Sequence, residues 1–147
     1  MTTFVGQQTD FAKALKELVE LEYEALEAYE AAINRIESAN YKQGLVNAKA
    51  EHKSQVSALT QLLTSKGIEA PRGPSGTQLI SIGKVAIANL FGDNAILKAI
   101  IQLEEDINTA YKRMTEHDQK FIEAEKTLTT GLANENRHIT WLKTITE

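Results

Sequence analysis

Cysteine is absent from all 147 residues, which removes disulfides, thiolate metal sites and cysteine nucleophiles. Any metal would have to be held by carboxylates and histidines, and there are only three of the latter. Proline occurs twice, at Pro71 and Pro74, both inside the turn-rich stretch from Gly67 to Gly76. No long apolar run is present. The most apolar-looking region, Leu79 to Phe91, is interrupted by Ser81, Gly83, Lys84 and Asn89 and is too short for membrane insertion. A cationic excess is lacking as well: 20 acidic residues face 16 basic ones, for a formal charge of -4, so no nucleic-acid partner is expected. The first eight residues have no basic segment followed by an apolar run and do not resemble a secretory signal, which makes a cytoplasmic location the expectation. Neither a phosphate-cradling Gly-x-x-x-x-Gly-Lys-Ser/Thr nor a Gly-x-Ser-x-Gly elbow occurs.

What is there is rich in Ala, Leu, Glu, Lys and Gln on both sides of the one break, residues that lose little side-chain entropy in a helix. The chain therefore reads as all-α and as one domain, residues 10–147, behind a flexible segment at 1–9. Apolar steps of three and four predict long helices from about Asp10 to Ser38, Tyr41 to Lys66, Asn94 to Glu116 and Gln119 to Ile145. A shorter helix, about Thr77 to Leu90, lies in the crossover between the two hairpins. Gly67 is expected as a left-handed cap and Asp93 as an N-cap. The apolar face of the crossover, Ile80, Val85, Ile87, Leu90 and Phe91, could serve a homodimer or higher homo-oligomer, or cover the long helices.

The apolar stripes are broken by glutamates in a repeated way. Glu22 precedes Tyr29 by seven residues and Glu104 precedes Tyr111 by seven, so each pair shares a helix face. Glu135 is followed three residues on by His138; Glu51 is its counterpart in the first half, with Ser54 three residues on. Glu22 and Glu51 are 29 apart around one turn, Glu104 and Glu135 are 31 apart around the other, so antiparallel packing gathers all four with His138 at mid-bundle. Several ionised carboxylates in an apolar core repel one another and lose hydration. Divalent or trivalent cations would resolve that conflict, and so would a structural network of shared protons, water or pairing with Arg35, Lys42, Arg113 or Arg137. Glu105 and Asp106 are expected to face solvent, Glu20, Glu24, Glu27 and Glu30 to form a charged outer face, and His52 and His117 to lie outside or at helix ends.

This pattern resembles the ferritin-like superfamily of four-helix bundles, of the bacterioferritin and rubrerythrin type, in an uncharacterised bacterial branch. Glu22 with Tyr29, Glu104 with Tyr111, Glu135 with His138, and Gly67 at the end of the second helix match that family, whereas Ser54 stands where a second histidine would be. The resemblance implies an up-down four-helix bundle and a carboxylate-bridged iron or manganese centre, with two ions if intact, for oxygen or peroxide chemistry or metal handling. Glu22 and Glu104 would then be terminal or bridging ligands, Glu51 and Glu135 bridging ligands and His138 a nitrogen ligand, with Tyr29, Tyr111 and Ser54 around them. The sequence identifies no reductant. The alternative is a non-enzymatic structural, stress-related or interaction bundle with a degenerate site.

Overall fold

The computed structural model describes residues 3–146, which form an all-α bundle of two helical hairpins joined by a long crossover. The first hairpin is α1 (Phe11–Arg35) and α2 (Ala39–Ser65); the second is α4 (Asp93–Thr115) and α5 (Glu125–Ile145). Asp10 caps α1 by accepting from Lys13 N at 3.2 Å, and Ser38 caps α2 by accepting from Tyr41 N at 3.2 Å, each satisfying an amide that the helix leaves open. Gly67 ends α2 at φ +72°, and Ile68 N returns to the Leu63 carbonyl at 3.0 Å, the left-handed cap expected there.

Three side chains fix the helix directions. Asp93 at the start of α4 holds the turn between α1 and α2, Arg113 near the end of α4 donates to the Thr3 and Val5 carbonyls ahead of α1, and Lys66 at the end of α2 reaches Glu123 just before α5. Neighbouring helices α1 and α4 are thus antiparallel, as are α2 and α5, while α2 and α4 run the same way. The connection from α2 to α4 must therefore return along the full length of the bundle. It does so against α1. Ahead of α1, Thr3 and Val5 are buried as well, while Phe4 stays exposed.

Several local expectations are corrected. The crossover helix is only α3 (Lys84–Ala88), because Gly76 at φ +90° and Gly83 in extended backbone interrupt the longer stretch. Its apolar face divides: Ile80 and Ile87 enter the core, while Val85 and Phe91 stay exposed. Gly92, not Asp93, occupies the N-cap of α4; Asp93 turns away and accepts from Glu37 N (2.8 Å) and Ser38 N (2.9 Å), closing the first hairpin. The second hairpin turn extends further than expected, through a 3₁₀ turn at Ile122–Ala124, and Ile122, inside the helix expected from Gln119, is 89% exposed.

Glu24 and Asp106 are also corrected, since both are buried rather than solvent-facing. Glu24 accepts from Leu79 N (2.8 Å) and Ile80 N (3.3 Å); Asp106 accepts from Ser81 N (2.7 Å) and Ser81 Oγ (2.6 Å). An irregular segment crossing a helical surface leaves its amides without ladder partners, and these two carboxylates supply them. Hydrogen bonds to charged acceptors contribute about 1.5–3 kcal/mol each. Replacing Glu24→Ala or Asp106→Ala should therefore speed amide exchange selectively at Leu79, Ile80 and Ser81, and lower stability by about 1–3 kcal/mol. Unchanged exchange at those three amides would contradict the clamp.

Candidate metal centre

The core stripe of α2 advances Leu45, Ala48, His52, Gln55, Leu59, Leu62, and that of α5 advances Leu128, Gly131, Glu135, His138, Leu142, all in alternating steps of three and four and all buried. The two register at an offset of 83 residues, so His52 is the counterpart of Glu135 and Gln55 of His138. Helices α1 and α4 register at 82, pairing Leu18 with Ile100, Glu22 with Glu104, Glu24 with Asp106 and Tyr29 with Tyr111, again all buried. The two hairpins are structural repeats whose polar residues meet at one level.

His52, expected outside, is therefore fully buried at the centre. It donates from Nδ1 to Glu22 Oε1 (2.6 Å) and from Nε2 to Glu104 Oε1 (2.9 Å), and its ring lies 5.2 Å from those of Tyr29 and His138. His138 donates from Nδ1 to the other Glu104 oxygen (2.6 Å) and from Nε2 to Glu51 Oε1 (2.6 Å). Glu104 is thus gripped by both imidazoles. On the far side, Glu22 Oε2 accepts from Tyr111 (2.7 Å) and from Gln55, whose amide oxygen is held by Asn134 (3.0 Å). Gly131 makes room for Tyr111, since a Cβ there would sit 2.3 Å from the phenol ring.

Of the residues singled out from spacing, Glu22, Glu104, Glu135 and His138 converge with Tyr29 and Tyr111. Glu51 does not enter the interior: it is partly exposed, clamped by both Arg137 guanidinium nitrogens (3.0 and 2.8 Å), and holds His138 from outside. Ser54 faces solvent and donates to the Ala50 carbonyl. Both lie one position before the buried stripe, where Leu45 and Ala48, continued by steps of four and three, lead to His52 and Gln55.

Four atoms, one each from His52, Glu104, Glu135 and His138, lie within 4.8 Å of one another in the buried core, a set of two nitrogens and two carboxylates that suits a first-row transition metal. Glu135 Oε2 and the Tyr29 hydroxyl are buried there without a hydrogen-bond partner. Both imidazoles also have a carboxylate on the nitrogen away from Glu104, Glu22 for one and Glu51 for the other, an arrangement that orients metal-ligating histidines. The donor set fits one ion.

Without metal, protons take over the charge balance. Burial opposes ionisation of His52, but Glu104, Glu135 and Glu22 together push it well above its ordinary value; burial likewise opposes His138, which its hydrogen bond to Glu104 and the nearby Glu135 carboxylate raise to about 10. Glu104 goes the other way, to about 2, because the two imidazoles outweigh its desolvation, while burial and the Glu104 charge raise Glu135 to about 8. Burial, reinforced by these carboxylates, pushes both tyrosines well above the usual phenol value.

This all-helical bundle with a buried histidine–carboxylate core defines the class of the protein. The chain belongs to the family described as domain of unknown function DUF2383, whose pattern matches residues 10–117, a span that holds Glu22, His52 and Glu104. No curated protein matches the sequence. Among solved structures it is similar to a conserved hypothetical protein from Mycobacterium tuberculosis, with a TM-score of 0.76 and 15% identity over 92% of this chain and 96% of the other. A hypothetical protein from Pyrococcus furiosus is similar with a TM-score of 0.62 and 16% identity, over 92% of this chain and 87% of the other. At these identities the likeness concerns the fold. Among the described residues, no helix is long and apolar enough to cross a membrane.

The charge pattern gives the metal-free protein a definite pH profile. His52 and His138, with folded values above their unfolded ones, contribute stability that is complete below about 6.5 and is lost as pH rises through the folded values, about 10 for His138. Glu135, raised from 4.5 to about 8, also loses stability over that interval as pH rises, whereas the Glu104 contribution is present above 4.5 and is lost as pH falls towards 2. In a chelator, the unfolding midpoint should fall between about pH 6 and about pH 10, and His138→Gln should flatten that fall. A midpoint constant over the interval would contradict the ionised network.

Proposed function

We propose that this chain is a ferritin-like metal protein that holds iron or manganese between His52, Glu104, Glu135 and His138, for oxygen or peroxide chemistry or for metal handling. The observation that carries the reading is the convergence of those four buried ligand atoms within 4.8 Å. A bound ion would supply the redox chemistry that these side chains lack. The chain's own residues position and insulate. Glu22 and Glu51 orient the two imidazoles, Arg137 fixes Glu51, and Gln55 with Tyr111 fixes Glu22. The unpartnered Tyr29 hydroxyl borders the same interior and offers a hydrogen-bond donor to a small ligand there.

One observation favours a second reading, a metal-free structural bundle: each imidazole can satisfy both nitrogens on carboxylates, leaving a network that balances its own charge. Metal binding separates the two. Neutral imidazole and ionised carboxylate are the ligating forms, so metal must displace protons and its stabilising effect should grow with pH, opposite to the trend of the metal-free protein. Purified chain should take up iron or manganese stoichiometrically, lose it in Glu135→Ala and His138→Ala, and bind about 10–100-fold more weakly in Glu51→Gln, which removes only an orienting charge. Trace metal that these variants leave unchanged would favour the structural network. Metal-dependent turnover of oxygen or peroxide would mark an enzyme, and its absence from fully loaded protein would leave metal handling.

A further inference from the structure

The two hairpins are repeats in backbone and in apolar packing but not in chemistry. In the second, Glu104, Glu135 and His138 present a carboxylate, a carboxylate and an imidazole; in the first, the corresponding residues are Glu22, His52 and Gln55. An intact internal symmetry would put a glutamate at 52 and a histidine at 55, giving each half its own ligand set. The exchange changes what the first half can bind. At 52 it replaces an anionic oxygen donor by an imidazole, and at 55 it replaces a nitrogen ligand by a neutral amide.

The bonding on that side is also closed. Glu22 Oε1 is occupied by His52 Nδ1, and Glu22 Oε2 by Tyr111 and by the Gln55 amide nitrogen. The same amide nitrogen donates to Glu135 Oε1 at 3.0 Å, and Asn134 pins the amide oxygen from behind, so the Gln55 side chain presents its donor end to the interior. A hydrogen-bond donor aimed at the space between Glu22 and Glu135 repels a cation there. On the other side one buried carboxylate oxygen, Glu135 Oε2, makes no hydrogen bond and has His138 Nδ1 at 3.8 Å.

Resting on the metal reading above, we infer that the centre is mononuclear by construction: His52 and Gln55 fill the half of the site where symmetry would place a second ion, and convert Glu22 from a ligand into the residue that orients His52. The bundle keeps a two-ion framework and takes one ion.

Manganese(II) added to the metal-free full chain provides the test, read by metal content after gel filtration and by electron paramagnetic resonance. The expected result is one ion per chain with the six-line spectrum of isolated manganese. Glu22→Gln should keep that one ion and weaken it about 10–100-fold, as for an orienting partner. The double variant His52→Glu with Gln55→His, checked for unchanged helix content by circular dichroism, should bind two ions and show an exchange-coupled spectrum. Two coupled ions in the wild-type chain, falling to one in Glu22→Gln, would overturn the inference while leaving the metal reading intact. A folded double variant that still binds one ion would overturn it too. No bound manganese or iron in the wild-type chain would instead remove the metal reading on which it rests.

Discussion

Everything at the middle of this bundle depends on one buried carboxylate, Glu104, held between the imidazoles of His52 and His138. Taking an ionised carboxylate out of water costs several kcal/mol even after relaxation, so it persists only where opposite charge and donors meet it. The two histidines come from α2 and α5, and Glu104 from α4, so satisfying that charge fixes the rotation of three helices at once. Glu22 on α1 then completes the ring through His52. Apolar contacts are non-directional, whereas this network has one phase in which its donors and acceptors match.

The repeat between hairpins shows how that phase is built. Apolar positions agree at offsets of 82 for α1 with α4 and 83 for α2 with α5, the difference being absorbed in the hairpin turns. Glu24 and Asp106 extend the same symmetry outwards, two residues beyond Glu22 and Glu104, and both hold the crossover down. Departures from symmetry occur where chemistry would be done, at His52 and Gln55.

Much of this was legible in the residues. Helix-forming composition, one proline- and glycine-rich break and apolar steps of three and four lead directly to two hairpins and a crossover, and the spacing of Glu22 to Tyr29, Glu104 to Tyr111 and Glu135 to His138 puts those six in the interior. At position 52 residue type and helix phase point different ways: Glu51 looks like the partner of Glu135, yet the progression from Leu45 and Ala48 through Leu59 and Leu62 passes through His52 and Gln55. Glu24 and Asp106 carry no comparable signal. Their partners are amides of an irregular segment, and no periodicity in the helix reveals where such a segment will cross. The start of α5 was hidden for a related reason, since Ile122 continues the apolar pattern into a turn that leaves it in solvent.

The central proposal is that these side chains form a single cation site rather than a self-contained polar core. Crystals of the full chain soaked in manganese(II), with anomalous difference density collected near the manganese edge, test that claim in one measurement. One peak per chain, ligated by His52, Glu104, Glu135 and His138 with Glu22 and Glu51 on the outer nitrogens of the imidazoles, is the predicted result. A core without anomalous density and with both imidazoles still bridging carboxylates, or a peak ligated by Glu22 and Gln55 instead, would contradict it.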